Sequence, residues 1–117
     1  MDSNCNITFT CPIEAPIYLI GGKYKAIILW HLMGKTLRYS ELHKLMPKAT
    51  DKMLTQQLRD LEKDKIINRI VYPVVPPKTE YSLTEFGKSL IPILNALCIW
   101  GESYLENNNS TNSNVSL

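Results

Sequence analysis

The hydropathy period of this chain changes from helical to alternating after Lys65, and that change narrows the possible folds more than any motif does. As far as Asp64, apolar residues recur at helical spacing. From Ile66 to Val75 β-branched residues crowd together, and Thr79, Tyr81 and Leu83 then alternate with Glu80 and Ser82. Pro76-Pro77 falls between the two runs, and residues without an N–H cannot donate to a ladder, so they form a tip. The pattern predicts a two-stranded hairpin, strands near 69–74 and 78–83, set into an otherwise helical chain. With 117 residues, 44% apolar and 21% charged, the chain has material for one domain and one core; a multidomain enzyme is not expected.

Four helices are expected ahead of the hairpin. A short apolar one covers about 13–20 and ends at Gly21-Gly22. Lys23 to Met33 forms the next, with Ile27, Leu29, Trp30 and Met33 inward, stopped by Gly34. Arg38 to Met46 is the third, with Leu42, Leu45 and Met46 inward and Pro47 just beyond it. After the turn Pro47-Lys48-Ala49, Thr50 can cap a fourth helix to about Asp64. Its Leu54, Leu58 and Leu61 share one stripe, while Lys52, Gln56, Arg59 and Lys63 project opposite and Thr55 stands on the flank. Beyond the hairpin, Thr84 caps a last helical region to about Leu105, in which Pro92 is expected to cause a kink or break.

A helix pair joined by a three-residue turn, followed by a β-ribbon with a tight tip, describes a winged helix-turn-helix. The expected class is α+β, mainly helical, with a two-stranded β-hairpin wing and terminal dimerisation helices. Residues 1–10 are expected to be a flexible arm, 11–105 the winged-helix domain, and 106–117 a disordered polar tail. No run approaches a membrane span and the start lacks a signal peptide's basic and apolar regions, so a cytoplasmic location is expected.

Charge points to a polyanion. All 13 Lys and Arg lie between Lys23 and Lys88 with only seven of the 11 acids, so a basic centre stands between acidic ends. Uneven sampling of an ordinary surface is the plain alternative. The fourth helix fits the major groove of B-DNA, about 12 Å wide. There Lys52 and Arg59 can donate to guanine or phosphate, Gln56 can pair with an adenine edge, and Thr55 can meet a thymine methyl; Thr50 and Lys63 bound the face. Arg38, Lys44 and Lys48, where the first helix of the motif would cross the DNA backbone, and Arg69 and Lys78 at the base of the wing, suit phosphate contacts that position without specifying sequence. A solvated helix face, and prolines that merely protect a sheet edge, are the alternatives.

The terminal segments carry more apolar surface than one core needs. Ile13 and Ile17 in the first, and Leu94, Leu97, Trp100 and Tyr104 in the last, suggest a twofold dimer presenting two reading helices to successive grooves. A larger monomeric core is the alternative. Three cysteines, Cys5, Cys11 and Cys98, are a poor disulfide framework and form no CxxC; neither a metal site nor a cofactor site is expected. Paired carboxylates, a nucleophile with a positioned histidine and a phosphate-cradling loop are absent from the pattern. Gly21-Gly22-Lys23 follows a helix rather than a strand, so no enzyme is expected. The competing readings are a winged-helix protein–protein adaptor without DNA binding, against which the polar fourth helix argues, and a redox enzyme using Cys11.

Several runs resemble the HxlR-type transcriptional regulators, bacterial winged-helix proteins distantly similar to the MarR regulators. They are Cys11-Pro12-Ile13-Glu14, Ile20-Gly21-Gly22-Lys23, Leu29-Trp30-His31-Leu32, Arg38-Tyr39-Ser40-Glu41-Leu42, Lys52-Met53-Leu54-Thr55-Gln56-Gln57-Leu58, Val75-Pro76-Pro77, Glu80-Tyr81-Ser82-Leu83-Thr84 and Trp100-Gly101. The resemblance spans roughly residues 11–105 and implies a homodimeric DNA-binding regulator, a repressor of the inverted-repeat-binding kind, without enzymatic activity. Several members sense an electrophile or oxidant through a cysteine near the N-terminus, and Cys11 falls at that position. By this resemblance Cys11 is modified, or bridges to Cys98 of the partner subunit. Pro12 as first helical residue places Cys11 at a helix N-cap, where the helix's positive end favours thiolate; Pro16 as first residue leaves it in a loop. Tyr24 stands where the family commonly has Trp.

Overall fold

The computed structural model describes residues 8–111, so most of the N-terminal arm, including Cys5, and the end of the polar tail lie outside the described residues. Six helices and three strands follow one another: α1 Glu14–Ile20, α2 Lys25–Leu32, β1 Leu37–Arg38, α3 Tyr39–Leu45, α4 Asp51–Lys63, β2 Ile67–Tyr72, β3 Lys78–Leu83, α5 Glu85–Lys88 and α6 Ile91–Thr111. The strands form one antiparallel sheet in the order β1-β3-β2.

The hairpin is present with its tip where the prolines place it, but β2 starts and ends two residues earlier than its expected bounds. The pairing runs from Ile67 opposite Leu83 to Tyr72 opposite Lys78. Its inner end is set by Thr84, whose N–H and hydroxyl both reach Ile66 O, at 3.0 and 3.1 Å, while the hydroxyl also meets Lys65 O at 2.7 Å. The wing gains a third strand: Leu37 pairs with Tyr81 and Arg38 with Glu80. Two residues are too few to show an alternating pattern, which is why periodicity did not reveal β1.

The core lies between α2, α3, α4 and the sheet. Leu54, Leu58 and Leu61 of α4 are buried with Leu42, Ile66, Ile67, Tyr81 and Leu83. In α2 the buried stripe is Ile28, Leu29 and Leu32; Ile27 and Trp30, expected inward, are exposed, and Met33 is half-buried against the core. This helix is apolar on nearly every side, so its periodicity carries no phase and packing alone sets its rotation. Leu45 is likewise exposed although Leu42 and Met46 are buried, because α3 ends at Leu45.

Two turns hold these helices in place. Gly22 takes φ of +67°, a left-handed conformation that glycine adopts without strain. Just beyond it, Tyr24 N–H donates to Gln57 Oε1 of α4 at 3.3 Å. Tyr24 itself is buried, with its hydroxyl 3.4 Å from Lys48 O in the turn before α4, so the smaller ring still packs where the family commonly has Trp.

Pro92 does not break a helix. The break falls at Ser89-Leu90, between α5 and α6, and Pro92 is the second residue of α6, where an N–H has no intrahelical acceptor anyway. The helix then continues past Leu105, its expected end, to Thr111.

Candidate nucleic-acid interface

α4 starts at a satisfied cap: Thr50 Oγ1 accepts the N–H of Met53 at 3.1 Å. The turn leading to it is tied down on several sides. Ala49 N–H donates to Met46 O, the His43 ring contacts Ala49 O through Nε2 at 3.0 Å, and His43 Nδ1 lies 3.2 Å from Asp51 Oδ1. Tyr39, the first residue of α3, donates its hydroxyl to the same Asp51 oxygen at 2.6 Å. Burial first, and then the hydrogen bond to Asp51, hold the Tyr39 phenol above its ordinary range, so it stays a donor. The first turn of α4 is thus bound to α3 by side chains twelve and eight residues apart in sequence.

With the leucine stripe buried, Lys52, Thr55, Gln56, Arg59 and Lys63 are all exposed. At 100° per residue, Lys52, Gln56, Arg59 and Lys63 lie within about 60° of one another, along nearly the whole helix. Arg59 and Thr55 also line an open groove of about 300 Å³ with Leu58, Glu62, Arg69 and Tyr81, where α4 meets the wing. The expected wing cation Arg69 therefore joins the α4 face. Lys78 stands farther along the ribbon, opposite Tyr72, whose phenol Glu80 holds above its ordinary range by accepting its hydrogen bond. Arg38, Lys44 and Lys48 are exposed on the α3 side. Arg38 sits in β1 rather than inside the helix, and its N–H donates to Glu41 at 2.8 Å.

Sequence reasoning missed the residues that position this face. Asp51 lies twelve and eight residues from Tyr39 and His43, so its pairing with them carried no local signal. Asp60 did carry one: it lies four residues after Gln56, the spacing of helical neighbours, and accepts from Gln56 Nε2 at 3.0 Å.

The terminal helices leave a second face open. Ile93, Leu97, Trp100 and Tyr104 share one stripe of α6 and are between 44% and 68% exposed, with the Trp100 and Tyr104 rings stacked at 5.5 Å. Ile13 and Ile17 of α1 are exposed to about the same degree. Leu94, expected on this outer face, is instead buried: it projects about a quarter turn away, into the core beside Leu90. Cys98 is half-buried on the Leu94 side of the helix. Cys11 is exposed but caps nothing. The N-cap of α1 is Ile13, and Cys11 lies two residues earlier in a turn closed by Glu14 N–H to Cys11 O at 2.9 Å. Neither proline is the first helical residue; α1 begins at Glu14.

The model of the HxlR-like helix-turn-helix matches residues 19–109. The chain belongs to the HxlR-like helix-turn-helix family. Among relatives, it is 55% identical over 97 residues to the uncharacterized HTH-type transcriptional regulator YtcD of Bacillus subtilis, covering 83% of this chain and 77% of that one. Among solved structures, it is similar to the redox regulator HypR in its reduced form, with a TM-score of 0.81 and 46% identity over 86% of this chain and 99% of that one. The oxidized form of HypR gives a TM-score of 0.76 at 49% identity, covering 80% and 96%. The family match includes the whole α3–α4 pair, the wing and most of α6, and begins after Cys11. No helix among the described residues is long and apolar enough to cross a membrane.

Proposed function

We propose that this protein is a DNA-binding transcriptional regulator, without enzymatic activity, that binds an inverted repeat in double-stranded DNA as a homodimer and acts as a repressor. The observation that carries the reading is the α4 face: a line of Lys52, Gln56, Arg59 and Lys63, exposed on a helix whose opposite side is fully buried and whose start is bound to α3. Such a helix fills a major groove, while Arg38, Lys44, Lys48, Arg69 and Lys78 reach phosphates on either side. The stripe on α6, with Ile13 and Ile17, supplies the apolar surface for a twofold interface.

Duplex titration by fluorescence anisotropy at several salt concentrations tests this. Binding is expected to weaken linearly in log–log form, with a slope of about −0.9 per phosphate neutralised. Lys48→Ala is expected to lower the slope by about one contact while leaving sequence preference unchanged. Absence of binding to any duplex, with a soluble dimer in hand, favours the adaptor reading instead.

The similarity to HypR also supports thiol control through Cys11, which is exposed and free to react. An electrophile such as a quinone, or an oxidant such as diamide, would then release the protein from DNA. Cys11→Ser is expected to stay bound when diamide releases the native protein; equal release of both overturns this part of the reading.

A further inference from the structure

Two contacts on α4 decide which atoms Gln56 offers to a base. Gln56 Nε2 donates to Asp60 Oδ1 at 3.0 Å, and Asp60 Oδ2 faces Lys25 Nζ of α2 at 3.7 Å. The lysine side chain is only 13% exposed, so it anchors the carboxylate from the body of the protein and offsets its charge on a surface meant for phosphate. A carboxylate only accepts hydrogen bonds, whereas an unconstrained glutamine amide can present nitrogen or oxygen in either order. Beside Asp60 the order is settled. The nitrogen faces the carboxylate with one of its two hydrogens, and Oε1 turns away from it.

We propose that Asp60 is a positioning residue that makes Gln56 a reader of adenine. The inference rests on α4 lying in the major groove, as proposed above. What Gln56 has left to offer is one acceptor, Oε1, and one donor, the second hydrogen of Nε2. Adenine presents the complement, the N6 amino donor beside the N7 acceptor. Guanine presents two acceptors, O6 and N7, so one of them confronts Oε1. Thymine places its O4 acceptor there too, and cytosine offers a single donor that makes one bond rather than two. Because Lys25 and Asp60 hold the amide before DNA arrives, less side-chain freedom is lost when the base is bound.

Selection from a randomised duplex library, using the full-length protein and sequencing the bound fraction, tests this on the native chain, Gln56→Ala, Asp60→Asn and Asp60→Ala. The native protein is expected to prefer adenine at one position of each half-site, and Gln56→Ala to lose that preference. Asp60→Asn, which lets the amide flip, and Asp60→Ala, which removes the partner, are expected to lower adenine-over-guanine discrimination there on the order of tenfold. Other positions and the salt slope are expected to hold, and matched melting temperatures check the fold. If Gln56→Ala erases the preference while both Asp60 variants keep it, the role of Asp60 is overturned and the α4 reading stands. If Gln56→Ala changes no position, or the base preferred at its position is guanine or thymine, Gln56 is not an adenine reader and the inference falls. If no α4 substitution alters any base preference, the placement of α4 in the groove falls with it.

Discussion

Trp100→Glu is expected to turn a dimer into a folded monomer that holds DNA weakly. Trp100 is 68% exposed on the protomer, so the substitution removes nothing from the core formed by Leu54, Leu58 and Ile66. It does place a charge in the middle of the Ile93, Leu97, Trp100 and Tyr104 stripe, where the ring stacks on Tyr104. Truncating a central aromatic anchor of an interface typically costs 2 kcal/mol or more, and a desolvated carboxylate adds to that. A dimer that loosens by about 30-fold or more separates at working concentrations. Two linked reading helices gain about 10²–10⁴ in apparent affinity over one, so operator binding is expected to fall by a factor in that range. Analytical ultracentrifugation with an anisotropy titration checks both halves. Helical circular dichroism that holds while the mass halves is the expected signature; an unchanged dimer mass shows that the interface lies elsewhere.

Gly87→Ala is expected to destabilise the fold strongly. An added Cβ at Gly87 would lie 2.1 Å from the carbonyl oxygen of Ile66, a backbone atom with no rotamer through which to retreat. That oxygen already accepts from Thr84 N–H, and Thr84 in turn caps Gly87 N–H at 2.9 Å, so the start of α5 and the inner end of the wing form one knot. Overpacking costs of this kind usually run about 1–3 kcal/mol, and a rigid backbone clash belongs at or above the top of that range. About 3 kcal/mol is a large share of the 5–15 kcal/mol that stabilises a domain, and corresponds to a melting point lower by roughly 10 °C. Chemical denaturation of the variant checks it; a midpoint equal to that of the native protein shows that α5 can shift freely, contrary to the packing described.

The exposed face of α4 was more legible in the sequence than the body that carries it. α4 alternates polar and apolar residues at helical spacing, so its leucine stripe and its cationic stripe both appear where periodicity puts them. The hairpin was equally plain, because β-branched residues and a double proline admit few other structures. α2 and α6 were not, since both are apolar on several faces. In α6 Leu94 and Leu97 look alike in sequence, yet one is 3% exposed and the other 54%. Only the position of α2 against that helix separates them.

By itself the sequence determined the order of the first four helices and the hairpin, the turn before α4, the capping threonines Thr50 and Thr84, and which side of α4 faces outward. These depend on residues within a few positions of one another, whose spacing specifies their geometry directly. The tertiary structure alone decided the rotation of α2, the third strand at Leu37-Arg38, the position of Cys11 outside any helix cap, the Asp51 contacts to α3, and the Lys25–Asp60 pair beside the exposed face of α4. Those join residues brought together by packing, and a short-range pattern carries no trace of a partner that only the closed core brings near.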